Sequence, residues 1–115
     1  MSIRLVRDSI ARDALVELGK EYYEEMVKGV VDIGRRIIAV GGEMHADAEA
    51  ILLEDGSRQS ELWGFNILPG KPKEECLIYE SFINIRPRDG NRTVEVESPG
   101  IREVMRGIIL ERLLL

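Results

Sequence analysis

The sequence predicts an α+β fold, a mostly antiparallel sheet of about six strands with helices packed on it, in the order strand, helix, two strands, helix, three strands, helix. Three observations lead there. Short β-branched runs and stretches of helical periodicity occur together, but without the regular alternation that a doubly wound parallel sheet requires. The breaks between neighbouring strand segments, Gly34-Arg35 and Pro87 to Asn91, are short enough for hairpins, which join antiparallel neighbours. With 44% hydrophobic and 32% charged residues over 115 positions, the chain has the size and composition of one core. Residues 1–115 are therefore read as a single domain, without internal repeat, low-complexity tract or linker.

Ile3 to Arg7 alternates weakly and reads as a first strand, and Asp8 and Ser9 offer capping oxygens to the helix that follows. That helix is expected from about Arg12, with Leu15, Leu18, Tyr22 and Met26 on one face and Gly19 weakening it without ending it. Lys28 to Ile33 and Arg36 to Val40 form a hairpin about Gly34-Arg35, where a positive φ is needed. Gly41-Gly42 breaks the second strand. Met44, Ala48, Ile51 and Leu52 then repeat with helical period until Asp55-Gly56 supplies a stop. Leu62 to Leu68 is a strand with Trp63, Phe65 and Ile67 on one face, ended by Pro69-Gly70-Lys71-Pro72. Leu77 to Arg86 reads as a longer strand and Thr93 to Glu97 as its antiparallel return. Ser98-Pro99, a capping hydroxyl followed by proline at the first helical position, starts a helix expected to run to the C-terminus.

A formal net charge of −5 argues against an obligate nucleic-acid binder, whose affinity comes from Lys and Arg displacing phosphate counterions. The apolar runs are far shorter than the ~20 residues of a membrane span, and the charged start of the chain does not suit a signal peptide. One cysteine, Cys76, makes no intrachain disulfide, which favours a reducing compartment and a cytoplasmic location. No serine sits in a G-x-S-x-G context, and Gly41-Gly42-Glu43 has neither the P-loop ending nor G-x-G-x-x-G spacing.

Two groups of residues carry chemistry. In Glu43, His45, Asp47 and Glu49, glycines lead into a helix bearing acids and the single histidine; His45 and Glu49, four apart, share a face able to chelate a divalent metal. The favoured reading is structural, with His45 hydrogen-bonded near the helix start and the acids complementing the helix dipole. No cofactor is predicted, a divalent metal being the secondary reading. The second group is Asn84, Arg86, Arg88, Asn91 and Arg92 about a turn, with Asn66 reaching the same face. Their guanidinium forks suit a carboxylate or phosphate, although polar side chains of this kind more often satisfy the turn itself.

The segments HADAEAILLEDGS (His45 to Ser57), LWGFNI (Leu62 to Ile67) and INIRPRDGNRTVEVE (Ile83 to Glu97) resemble a family of small prokaryotic proteins catalogued as a domain of unknown function. The resemblance implies no activity, substrate or catalytic residue. At the other end of the chain, Ile101, Met105, Ile108, Ile109 and Leu113 give the last helix a broad apolar face, from which a homodimer is expected. The leading functional reading is a homodimeric binding or structural module. The alternative is a small metal-assisted enzyme, or an anion-binding protein, that combines the His45 helix start with Arg86 and Arg92.

Overall fold

The computed structural model describes residues 2–115. Strand β1 (Ile3–Val6) and a two-residue β2 (Ile10–Ala11) lead into helix α1 (Arg12–Gly19), followed by β3 (Val27–Asp32), β4 (Ile37–Gly41), α2 (His45–Glu54), β5 (Leu62–Ile67), β6 (Leu77–Ile78), α3 (Pro99–Arg112) and β7 (Leu113–Leu114). The main sheet has the order β1-β4-β3-β5-β6 with every pairing antiparallel, and β2 pairs with β7 in a small parallel sheet. This is the expected α+β class.

The sheet is covered on both faces, which explains why its central strands are apolar at nearly every position rather than at every second one. Val27 and Val31 of β3, Ile38 and Val40 of β4, and Trp63, Phe65 and Ile67 of β5 share one face with Leu15 of α1 and Met105, Ile108 and Ile109 of α3. The opposite face sets Val30, Ile37, Ala39 and Leu62 against Ala48 and Leu52 of α2. Gly29 is needed where it is: a Cβ there would lie 2.4 Å from the Phe65 ring, which occupies the space a side chain would take.

Several expectations are corrected. The first helix stops at Gly19, so Tyr22 and Met26 lie outside it; the Tyr23 N–H bonds back to the Gly19 carbonyl and the Met26 N–H to that of Tyr23, turning the chain into β3. In the first hairpin the positive φ falls on Arg36 (57°) and not on Gly34. Asp32 is the reason, since its Oδ1 accepts from the Gly34 and Arg35 N–H groups at 2.9 Å while its Oδ2 accepts from Ser57, fixing the turn before Arg36 is reached. Of the last two expected strands, the first is cut short and the second does not form. Only Leu77–Ile78 pairs, residues 93–97 are not a strand, and the hairpin is reduced to isolated bridges at Glu80–Glu95 and Arg86–Asn91 between 3₁₀ turns at Phe82–Asn84 and Pro87–Asp89.

The last helix begins as expected, with the Ser98 hydroxyl accepting from the Ile101 N–H at 3.2 Å, but ends at Arg112. Met105, Ile108, Ile109 and Leu113 are buried in the core and Ile101 is half-buried against it, while Val104 and Leu114 remain exposed. Truncating one such buried side chain to alanine costs about 2–5 kcal/mol.

The fit of Phe65 over Gly29 gives a test. Gly29→Ala is expected to lose about 1–3 kcal/mol in urea denaturation through overpacking. Adding Phe65→Leu should return part of that loss, and a double variant less stable than either single one would contradict the packing described.

Candidate functional site

Most of the residues singled out in the sequence converge on the backbone of one strand, β5. Its inner edge pairs with β3 along its whole length, whereas β6 covers its outer edge only at Asn66 and Ile67. Asn84 supplies what a neighbouring strand would: its Oδ1 accepts from the Gly64 N–H at 2.8 Å, and its Nδ2 donates to the carbonyls of Gly64 at 3.0 Å and Val94 at 3.1 Å. One step along, the buried Arg86 donates to the carbonyls of Leu62 and Gln59 and lays its guanidinium 3.9 Å over the Trp63 ring. Gly64 allows this close approach, because a Cβ there would meet that of Ser81 at 2.4 Å.

Asn91 organises the same segment. Its Nδ2 donates to the carbonyls of Asn84, Thr93 and Glu95, and its Oδ1 accepts from the Glu97 N–H. Side-chain amides thus satisfy backbone groups that a ladder would otherwise satisfy, and this is why no strand forms here. Arg92 is exposed at the far side of the turn, where its N–H and that of Thr93 donate to the Glu97 carboxylate and hold it below the usual carboxylate range. Arg88 is also exposed.

At the start of α2, Gly41 and Gly42 take φ of 106° and 89°, and a Cβ on Gly41 would sit 2.5 Å from the Ser2 carbonyl, so these glycines make a tight turn. The Asp47 carboxylate accepts from the Met44 N–H at 3.2 Å, closing the first turn of the helix. It is His45 that points inward, with Ala48 and Leu52, while Met44 and Ile51 are exposed. The His45 Nε2 lies 2.7 Å from the Phe65 carbonyl oxygen. A carbonyl only accepts, so Nε2 carries the proton and Nδ1 is bare in the neutral ring. Burial lowers the His45 pKa to about 4, and the nearby Lys28 charge acts in the same direction while Phe65 and Asn66 oppose it. Burial also pulls the Lys28 ammonium down.

Glu49, on the same side of α2, turns toward Gln59 and Arg86; burial raises its pKa and those two neighbours counter the rise. The two sequence groups therefore meet, with His45 on Phe65, Asn84 on Gly64 and Arg86 on Leu62, but they meet as supports of one strand. Glu43 is exposed, and its carbonyl accepts from the Tyr23 hydroxyl at 2.7 Å. Among the described residues no three His, Cys, Asp or Glu side chains come together as a metal site. Glu49 Oε2, Asn66 Oδ1, Trp63 Nε1 and Arg86 Nε are buried without a hydrogen-bond partner among those residues.

A concave site lies elsewhere and was not legible in the sequence. A cleft of about 450 Å³ is bounded by α1, the turn leading into β3 and the loop after β5, and its lining includes Arg12, Val16, Glu24, Glu25, Met26 and Lys71. The Arg12 Nε donates to the Pro69 carbonyl at 3.1 Å and ties two of its walls together. Glu24, Glu25 and Met26 read as the end of a helix. The cleft opens only because that helix stops at Gly19. The adjacent charged and turn residues, Glu24-Glu25 and Pro69-Gly70-Lys71, were the available signal.

An antiparallel sheet covered on both faces, with a strand edge finished by side chains and a cleft beside its first helix, defines a small α+β protein with a concave candidate site. The chain belongs to the family DUF5674, described as a protein of unknown function, which it matches over residues 4–112. No curated protein and no solved structure matches it. Among the described residues, no helix is long and apolar enough to cross a membrane.

The buried imidazole sets a pH dependence. The unfolded chain takes a proton on His45 near 6.5 and the folded chain only near 4, so stability falls as pH drops through that window and levels off above it. The full effect is about 3 kcal/mol. Glu49, raised by burial, works in the opposite direction in the acid part of the window. Comparing urea midpoints of the wild type and His45→Gln between pH 4 and 7 isolates the imidazole. The variant should show the flatter profile, and parallel profiles would refute a neutral buried His45.

Proposed function

We propose that the chain is a binding module and that the cleft beside α1 takes a small ligand. The observation that carries this reading is the cleft itself, since ~300–1,000 Å³ is the usual size of small-molecule sites and an apolar floor with a few polar groups is their usual lining. The residues best suited to acid–base or metal chemistry support the reading from the other side. His45, Asn84 and Arg86 are bonded to the main chain of β5, a role in which they hold the fold. The metal-assisted or anion-binding alternative, built on Glu43, His45, Asp47, Glu49, Asn66, Asn84, Arg86 and Arg92, has less geometric support. Cys76, a single buried thiol, favours a reducing, cytoplasmic setting.

A fragment screen followed by amide chemical shifts tests the site. Hits should shift amides of residues 12–27 and 68–71 and be lost in Val16→Trp, which fills the cleft; Met26→Trp provides the same test should the first variant fold poorly. Hits that map elsewhere and survive both substitutions would sink the assignment.

A homodimer is the second reading, favoured by β1. Its inner edge pairs fully with β4, its outer edge has no neighbour in the sheet among the described residues, and its Leu5 shares a shallow groove with Ile51, Glu54 and Asp55 at the end of α2. Antiparallel addition of a second β1 would satisfy that edge. Light scattering at increasing concentration should give twice the chain mass, and Leu5→Pro should return the monomer; a wild-type chain that stays monomeric throughout rejects this reading.

A further inference from the structure

The charges of the cleft narrow its ligand. Two basic residues, Arg12 and Lys71, and two acidic residues, Glu24 and Glu25, are among those that line the same cleft of about 450 Å³. None of the four forms an ion pair among the described residues, whereas Arg7, Arg35 and Arg36 each find a carboxylate elsewhere on the surface. Arg12 is committed only through its Nε, which donates to the Pro69 carbonyl; this steadies the guanidinium at the rim and leaves both Nη groups to donate. Opposite charges are thus presented to one space without neutralising each other, above a floor that includes Val16 and Met26.

A lone anion, such as a phosphate or a simple carboxylate, would meet Glu24 and Glu25 as well as the two cations, and a lone cation would meet the reverse. A molecule carrying both signs satisfies each pair, and an apolar group on the same molecule covers the floor. We infer that the cleft binds a small zwitterion with an apolar side group, of the free amino acid class, its carboxylate toward Arg12 and Lys71 and its ammonium toward Glu24 and Glu25. The inference rests on the reading of the cleft as the binding site. Paired charge-assisted hydrogen bonds at both ends supply specificity for that class, and the apolar floor supplies contact area.

The test uses the whole chain labelled with ¹⁵N at neutral pH and four probes: L-phenylalanine, 3-phenylpropionate without the ammonium, phenethylamine without the carboxylate, and benzyl alcohol without either charge. Phenylalanine should shift the amides around the cleft and bind roughly tenfold more tightly than either singly charged analogue. Lys71→Glu and Glu25→Lys, both at exposed positions, should each weaken phenylalanine by a similar factor and leave benzyl alcohol unaffected. If benzyl alcohol shifts the cleft amides while phenylalanine binds no better than the analogues, the zwitterion inference is overturned and the cleft reading stands. If no probe shifts those amides, both fall together.

Discussion

The outer edge of β5 is the constraint on which the rest of the structure depends. A buried strand edge must have its N–H and C=O groups paired, because an unmet hydrogen bond in the interior costs about 1–3 kcal/mol. The chain meets this need with side chains. The Asn84 amide stands in for a peptide group beside Gly64, and Arg86 caps the carbonyl at Leu62 while stacking on Trp63. Once those two side chains are docked, the segment carrying them follows a path that no β-ladder could take, and Asn91 secures it by bridging Asn84, Thr93 and Glu95.

The same strand positions α2. His45 reaches down from the first turn of the helix to the Phe65 carbonyl, so the helix is fixed by a directional contact as well as by Ala48 and Leu52. Removing that imidazole from water makes its charged form unfavourable, and the ring is held neutral. At the other end of α2, Asp55 receives both Arg7 and Arg35 and so joins the helix to the end of β1 and to the first hairpin. Polar groups at both ends and apolar groups between them set the helix in one register on the sheet.

The far side of the sheet leaves room where this side is closed. α1 has eight residues, and the turn that follows brings Glu24, Glu25 and Met26 around the opening into β3. Arg12 latches the start of α1 to Pro69, so the opening has a fixed wall on each side. The candidate binding site is therefore a product of where a helix stops, and the residues lining it differ from those the sequence marked as chemically suggestive.

What the sequence determined by itself was whatever depends on neighbours along the chain. The first hairpin, β5 with Trp63, Phe65 and Ile67 on one face, the glycine turn before α2, the Asp55-Gly56 stop and the Ser98-Pro99 start all follow from period, φ preference and capping, which act over a few residues. Among the residues the sequence singled out, the roles of Asp47 at the helix start and of Asn91 in its turn were legible for the same reason, whereas His45 reaches the Phe65 carbonyl twenty residues away. Three features were decided only by tertiary structure. Whether residues 77–97 form strands depends on Asn84 finding Gly64, twenty residues away. Which part of the apolar face of α3 is buried depends on how much of the sheet the other helices leave uncovered, and Met105, Ile108 and Ile109 fill that area while Val104 stays exposed. The cleft exists because charged residues from three separate segments are brought around one space, and side-chain pattern along the chain carries no record of which distant segments will share it.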